Sequence, residues 1–344
     1  MAAVTLERVR IRGLVSCVPR TSVGNLDCAE EKRSERERLV RNIGINRRRI
    51  CYPWQYFSDL AKTAADRLLE AIEWKREEID ALIVVTQSPD YLIPATAIII
   101  QDRMKLPTTT IAYDVNLGCS GYPFGIYTVG SMLASGGIRK ALLLVGDKCA
   151  NLSDPLFSDC GTATALEYDP GAPPIHFDLN SDGSGYRAII LPVGGHREPM
   201  QVHHLLAHKD ADGEMRRDAD LVLDGTAVLN FSTQRVPPAL RGLCEYAGTP
   251  IESIDYFVLH QANRMINETI RKKLQLPPEK VPSTLYDFGN TSSASVPLTM
   301  TVRLREVLQS APATVLMSGF GIGLSWGSCI VRTEGIVMPE LVEV

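Results

Sequence analysis

No apolar run in this sequence approaches the ~18 residues that a membrane-crossing helix needs. The longest, such as Ala81–Val85 and Ala97–Ile100, fall far short, so nothing reads as a membrane span. No C-x-x-C pair occurs among the 8 cysteines, and several of them sit inside apolar runs. That argues against a cysteine zinc site and against a disulfide framework. Basic charge is not in excess: 36 Lys plus Arg against 40 Asp plus Glu leave −4, so no field gathers nucleic acid or anionic lipid. Low-complexity sequence is missing too, and 45% hydrophobic with 22% charged residues is ordinary for a globular protein. The first residues, Met-Ala-Ala-Val-Thr-Leu-Glu-Arg, carry charge where a signal peptide needs an unbroken apolar stretch, and a cytoplasmic protein is expected. Histidines are few, and although His196, His203, His204 and His208 crowd one segment, their spacing matches no ligand pattern. No metal is expected.

What is present is length enough for two domains or one large two-part fold: 344 residues. Short β-branched runs bounded by turn residues predict strands at Val9–Val18, Ala81–Thr86, Thr110–Val115, Ala141–Val145, Thr162–Glu167, Arg187–Leu191, Tyr256–Leu259, Ala313–Met317 and Leu324–Arg332. Helix-period segments lie between them at Phe57–Trp74, Gly121–Ala134, Thr226–Tyr246, Gln261–Leu274 and Ser293–Leu308. The alternation predicts an α/β fold with mainly parallel, doubly covered sheets. Its order in the first half returns loosely in the second, so the halves are expected to be alike. The seam is placed in the Gly/Pro/Asp-rich stretch Asp169–Gly185, giving halves 1–182 and 183–344 with a site in the cleft between them.

Four segments carry chemistry. In Asp114-Val-Asn-Leu-Gly-Cys119-Ser-Gly a strand runs through a Gly-flanked cysteine into a helix, and a helix N-terminus favours a thiolate, so a lowered pKa is expected for Cys119. Asp255-Tyr-Phe-Val-Leu-His260-Gln-Ala-Asn263 ends a buried strand at a histidine on the rim where α/β enzymes bind ligands. Asn290 stands between Gly289 and a small-residue helix start, where alone it would be read as an N-cap. Ser318-Gly-Phe-Gly321-Ile322-Gly323-Leu-Ser-Trp-Gly327 is a glycine-rich turn that exposes backbone N–H groups, without the G-x-G-x-x-G spacing or following helix of a dinucleotide loop.

Together these segments resemble the β-ketoacyl-acyl-carrier-protein synthase III family of the thiolase superfamily, over essentially the whole chain. The resemblance implies a five-layered α-β-α-β-α fold of two similar halves and a Cys119–His260–Asn290 triad. It implies a decarboxylative Claisen condensation in which Cys119 takes an acyl group from acyl-CoA or acyl-carrier protein. His260 and Asn290 then stabilise the enolate of a malonyl thioester, and the N–H groups of Cys119 and Ile322 form an oxyanion hole. It further implies substrate contacts at Ile93, Asn263, Gly321 and Gly323, a homodimer, and no bound cofactor beyond the thioester substrates.

Four departures bear on specificity. The family's G-G-G turn is Gly321-Ile322-Gly323 here, putting a branched side chain beside the site. Met265 replaces an arginine that follows H-Q-A-N, with Arg264 just before it, and the aromatic half of the family's CoA adenine clamp is missing from Arg38–Arg48. Ile93, in the loop that reaches across the family's two-fold interface, replaces a common Phe. Arg47, Arg48, Arg264, Lys272 and Lys273 are the expected docking residues for a phosphate-bearing partner. The rival readings are an acyltransferase to a hydroxyl or amine, a plant-type iterative polyketide synthase, and a non-catalytic scaffold.

Overall fold

The computed structural model describes residues 3–151, 154–210, 213 and 215–344. Its two main sheets are built from β1 (Ala3–Leu6), β2 (Val9–Val18), β3 (Ala81–Val85), β4 (Ile111–Val115), β5 (Lys140–Asp147), β6 (Cys160–Tyr168), β7 (Ile175–Ser181), β8 (Tyr256–Leu259), β9 (Ala313–Gly321), β10 (Ser325–Thr333) and β11 (Val342–Glu343). The six-stranded sheet has the order β11-β2-β6-β5-β3-β4, and the five-stranded sheet β1-β7-β10-β9-β8. The expected duplication is visible in the pairing. β2–β6 and β7–β10 are antiparallel, as are β6–β5 and β10–β9, whereas β5–β3 and β9–β8 are parallel.

The sheets are therefore mixed and not mainly parallel. The reason is chain length between strands: β9 and β10 are joined only by residues 322–324, which allow a hairpin but no crossover. The parallel pairs β3–β4 and β8–β9 have helices between their strands in the chain, and β11 joins β2 in parallel as the two chain ends meet. Among the described residues the α-helices of eight residues or more are α1 (Arg33–Ile43), α2 (Phe57–Ile72), α3 (Thr96–Arg103), α4 (Gly121–Ala134), α5 (Gly225–Tyr246) and α6 (Arg264–Lys273).

Burial explains the layering. In β3, Ala81, Ile83 and Val85 pack inward with Ile126 and Val129 of α4 and with Val258 and Val315 of the other sheet. Leu82 and Val84 face outward against Leu60, Ala64 and Leu68 of α2 and Ile100 of α3. Helices on both faces are why this strand is an unbroken apolar run. On the far side, Leu240 and Leu243 of α5 and Ile266 and Ile270 of α6 cover Phe257, Leu259, Leu316 and Ile330. Each such fully buried Leu or Ile contributes about 1.5–3 kcal/mol. The result is five layers, α-β-α-β-α, with α4 and the helical residues 295–310 in the middle.

Three sequence expectations shift. The stretch placed at the seam contains β7, which belongs to the second sheet, so the sheets divide within residues 169–174 and not at 182/183. The chain ends also exchange sides: β1 pairs with β7 of the second sheet, and β11 with β2 of the first. The helix expected over Ser293–Leu308 is Ser295–Thr299, a π-helical turn Met300–Leu304, and Arg305–Ser310. Among the described residues no helix is long and apolar enough to cross a membrane.

Candidate active site

Cys119 lies between the end of β4 and the start of α4, pressed against the β9–β10 turn. Glycine is required on the turn side. A Cβ at Gly321 would meet Cys119 Cβ at 2.7 Å and Sγ at 3.0 Å, and one at Gly319 would meet the Cys119 carbonyl at 2.7 Å. Gly321 has φ +153°, which side-chain-bearing residues rarely adopt. This close approach brings the backbone N–H of Ile322, with that of Cys119 itself, onto the sulfur. The turn is pinned from below: Ser120 Oγ and Ser325 Oγ are 2.7 Å apart, and Ser325 Oγ donates to the Ile322 carbonyl at 2.8 Å.

The lowered thiol pKa expected from the helix N-terminus is not what this environment produces. Cys119 faces a cavity, and burial pushes its thiol up to about 11, with the nearby Asp147 carboxylate adding to the rise and the two N–H groups opposing it. Desolvation comes from the opposing sheet, which the local strand–cysteine–helix pattern does not report.

His260 follows β8, is 1% exposed and stands edge-on to Phe320 with ring centroids 5.6 Å apart. Burial lowers its pKa to about 3, so the ring is neutral near pH 7. Its Nδ1 is 2.7 Å from Ser295 Oγ, and that same Oγ accepts from the Gln261 N–H at 3.2 Å. With Oγ accepting there, its own proton is free to go to Nδ1, and the network assigns the imidazole proton to Nε2. Asn290 is held by its backbone. Its N–H donates to Leu156 O and its carbonyl accepts from Ser158 N–H, both at 2.9 Å. Its Oδ1 accepts from the Ser292 N–H at 2.9 Å, which leaves Nδ2 as the donor for a ligand.

Cys119, His260 and Asn290 line one cavity of about 620 Å³ together with Gly321, Ile322 and Asn263. Leu156, Phe157, Ile189, Leu223 and Val228 give it an apolar wall. Ile322 turns its side chain against Gly118, where an added Cβ would meet Ile322 Cγ2 at 2.7 Å. Asn263 also caps α6, accepting from the Ile266 N–H at 2.9 Å, which is why that helix starts at Arg264 and not at Gln261.

Other expected residues lie elsewhere. Ile93 is 86% exposed and Gly323 is also exposed; neither lines this cavity. Arg48 is not a docking residue: it is 2% exposed, and its guanidinium donates to Asn25 Oδ1 and to the carbonyls of Asn151 and Phe157. Lys273 Nζ is engaged by the Thr233 carbonyl at 2.9 Å. Arg47 and Lys272 are exposed, and Arg264, with Arg41, flanks a second cavity of about 520 Å³ between α1 and α6. Asp147, Cys149, Ser292 and Phe320 also line the first cavity, and Ser295 backs His260; none was singled out in the sequence. Asp147 is the one with a legible signal, an acid closing the buried run Ala-Leu-Leu-Leu-Val-Gly.

Two family models match the chain, 3-oxoacyl-[acyl-carrier-protein (ACP)] synthase III over residues 113–183 and its C-terminal counterpart over residues 244–333. A β-ketoacyl-[acyl-carrier-protein] synthase III of Streptococcus mutans is 32% identical, covering 92% of this chain and 96% of the relative. The chloroplastic β-ketoacyl-[acyl-carrier-protein] synthase III of Arabidopsis thaliana is 30% identical, covering 94% and 82%. Among solved structures, a 3-oxoacyl-(acyl-carrier protein) synthase from Burkholderia xenovorans superposes with a TM-score of 0.92 at 35% identity, covering 99% of both chains.

Proposed function

The chain belongs to the 3-oxoacyl-[acyl-carrier-protein] synthase III family, and we propose that it performs decarboxylative condensation with Cys119 as acyl carrier and His260 and Asn290 as enolate donors. It is an acyltransferase of the ketoacyl synthase III type. The observation that carries the assignment of roles is the convergence of a thiol, a neutral imidazole and a carboxamide, from three distant parts of the chain, on one cavity.

In the first half-reaction the Cys119 sulfur loses its proton and attacks an acyl thioester. A carbon–sulfur bond forms to Cys119, the bond to the donor thiol breaks, and that thiol takes up a proton. The oxyanion formed on the way meets the N–H groups of Cys119 and Ile322, which already point at the sulfur. In the second, the bond between the malonyl carbon and its carboxylate breaks and carbon dioxide leaves. The electron pair moves toward the thioester oxygen, where Nε2–H of His260 and Nδ2–H of Asn290 receive the charge. The enolate carbon then bonds to the acyl carbon as the Cys119 thiolate departs. Neutral donors suit this step because neither must give up its proton.

The partner is an acyl-CoA or an acyl-carrier protein, met at Arg47, Arg264 and Lys272, whose charges stay at the surface. The assembly is a homodimer. β4 is an edge strand whose Ile111 and Tyr113 are 44% and 38% exposed on one face, and the nearby loop presents Tyr91, Leu92 and Ile93 to solvent. Such an apolar edge invites pairing with a second copy. Gly321 and Asn263 bound the acyl and pantetheine path, while Ile93 and Gly323 act on substrate only through the partner or the turn.

The roles are tested by separating the half-reactions. Asn290→Ala and His260→Ala are expected to form the acyl-enzyme, seen by intact-protein mass, while carbon dioxide release from a malonyl thioester falls ~10²–10³-fold. Loss of acylation with decarboxylation intact would reverse the assignment.

A further inference from the structure

Asp147 ends β5, is 2% exposed, and faces the cavity that holds Cys119, yet the chemistry above gives it no step. Its Oδ1 accepts from the Gln87 N–H at 2.7 Å, Thr86 Oγ1 at 2.9 Å, Ser88 N–H at 3.1 Å and Ser88 Oγ at 3.2 Å. The carboxylate is thereby locked to the residues that follow β3. Its other side faces the turn after Asn290: the hydroxyls of Ser292 and Ser293 donate toward it, that of Ser293 to Oδ2 at 3.4 Å.

Ser292 is the pivot of that turn. It has φ +51°, uncommon for a residue with a side chain, and such a conformation persists only where its surroundings hold it. Its N–H donates to Asn290 Oδ1 at 2.9 Å, fixing which end of the carboxamide faces the ligand, and its carbonyl faces the His260 imidazole. Both enolate donors thus depend on one residue whose hydroxyl is turned toward Asp147. We propose that Asp147 is a positioning residue for the condensation half-reaction, holding the Ser292–Ser293 turn so that Asn290 and His260 present their donors to the enolate. This rests on the roles assigned to those two residues above.

A positioning role predicts a split that general destabilisation does not. Asp147 touches neither N–H group at the Cys119 sulfur, and its charge disfavours the thiolate. Asp147→Asn is therefore expected to lower carbon dioxide release from a malonyl thioester by ~10–100-fold, while acyl-enzyme formation proceeds as fast as in the parent or faster. Ser292→Ala and Ser293→Ala, which remove a hydroxyl and keep the backbone donors, should give the same split in milder form. The triple variant should lose no more than Asp147→Asn alone, because the residues act in one chain. Equal loss in both half-reactions, no loss in either, or full additivity with the serine variants would overturn the proposal. Asn290→Ala serves as the reference: if it leaves carbon dioxide release unchanged, the assigned roles fail. If it abolishes release and Asp147→Asn does not lower it, only the role of Asp147 fails.

Discussion

A thiol held at about 11 and an imidazole held at about 3 face the same cavity, and the two shifts separate the half-reactions by pH. Below pH 11 the thiolate fraction of Cys119 grows tenfold per pH unit, so acyl-enzyme formation is expected to rise with unit slope between about pH 6 and 9. His260, displaced downward by burial, takes no proton in that window, so decarboxylation by preformed acyl-enzyme should stay flat. Rapid-quench measurement of each step across that range checks both. A bell with a limb near pH 6.5 in the second step would mean that His260 titrates as an ordinary histidine. The local pattern around Cys119 pointed to a thiol between a strand and a helix but gave the wrong direction for its pKa. The helix N-terminus is written in neighbouring residues, whereas the desolvating surface comes from Gly319–Ile322, two hundred residues away.

At the level of elements, loops after strands hold the site, and buried polar groups hold the loops. Arg48 is the clearest case. Its guanidinium donates to the carbonyls of Asn151 and Phe157, and Phe157 stands between Leu156 and Ser158, whose O and N–H are the two backbone partners of Asn290. Arg48→Ala removes a buried guanidinium together with its buried bond to Asn25 Oδ1 and is expected to cost on the order of 2 kcal/mol or more in denaturant unfolding. Lys272→Ala, at an exposed position, should leave stability within about 0.5 kcal/mol and raise the KM for a carrier-protein substrate alone. Equal midpoints for the two variants would contradict this division. In the sequence the run Arg47-Arg48-Arg49 reads as one basic patch. Folding separates it into an exposed residue, a buried one, and a third paired with Glu343 at 2.7 Å and set over the Phe288 ring. Which arginine faces inward is decided by β-strand alternation against a distant loop, and a charge run does not reveal that.

For the whole molecule, the paired strand orders of the two sheets put the Cys119 turn opposite the His260 and Asn290 loops, so the site exists only where the halves meet. The alternation of strands and helices made that architecture legible, and the four motifs, through their resemblance to a family, pointed to three residues that the fold brings to one cavity. The exchange of β1 and β11 between halves was hidden, because pairing of chain ends leaves no local pattern beyond a short apolar run. The apolar edge of β4 belongs to this scale as well. The protein is expected to sediment as a dimer, and Ile111→Lys to shift it toward monomer. A parent that sediments as a monomer at micromolar concentration would remove the homodimer from the account. The most direct test of the central claim uses the two thiols in the cavity, Cys119 and Cys149. After incubation with an acyl-CoA, peptide mass mapping is predicted to place the acyl mass on the peptide carrying Cys119, and Cys119→Ala to carry none and make no condensation product. An acyl group on Cys149, or product from Cys119→Ala at the parent's rate, would contradict it.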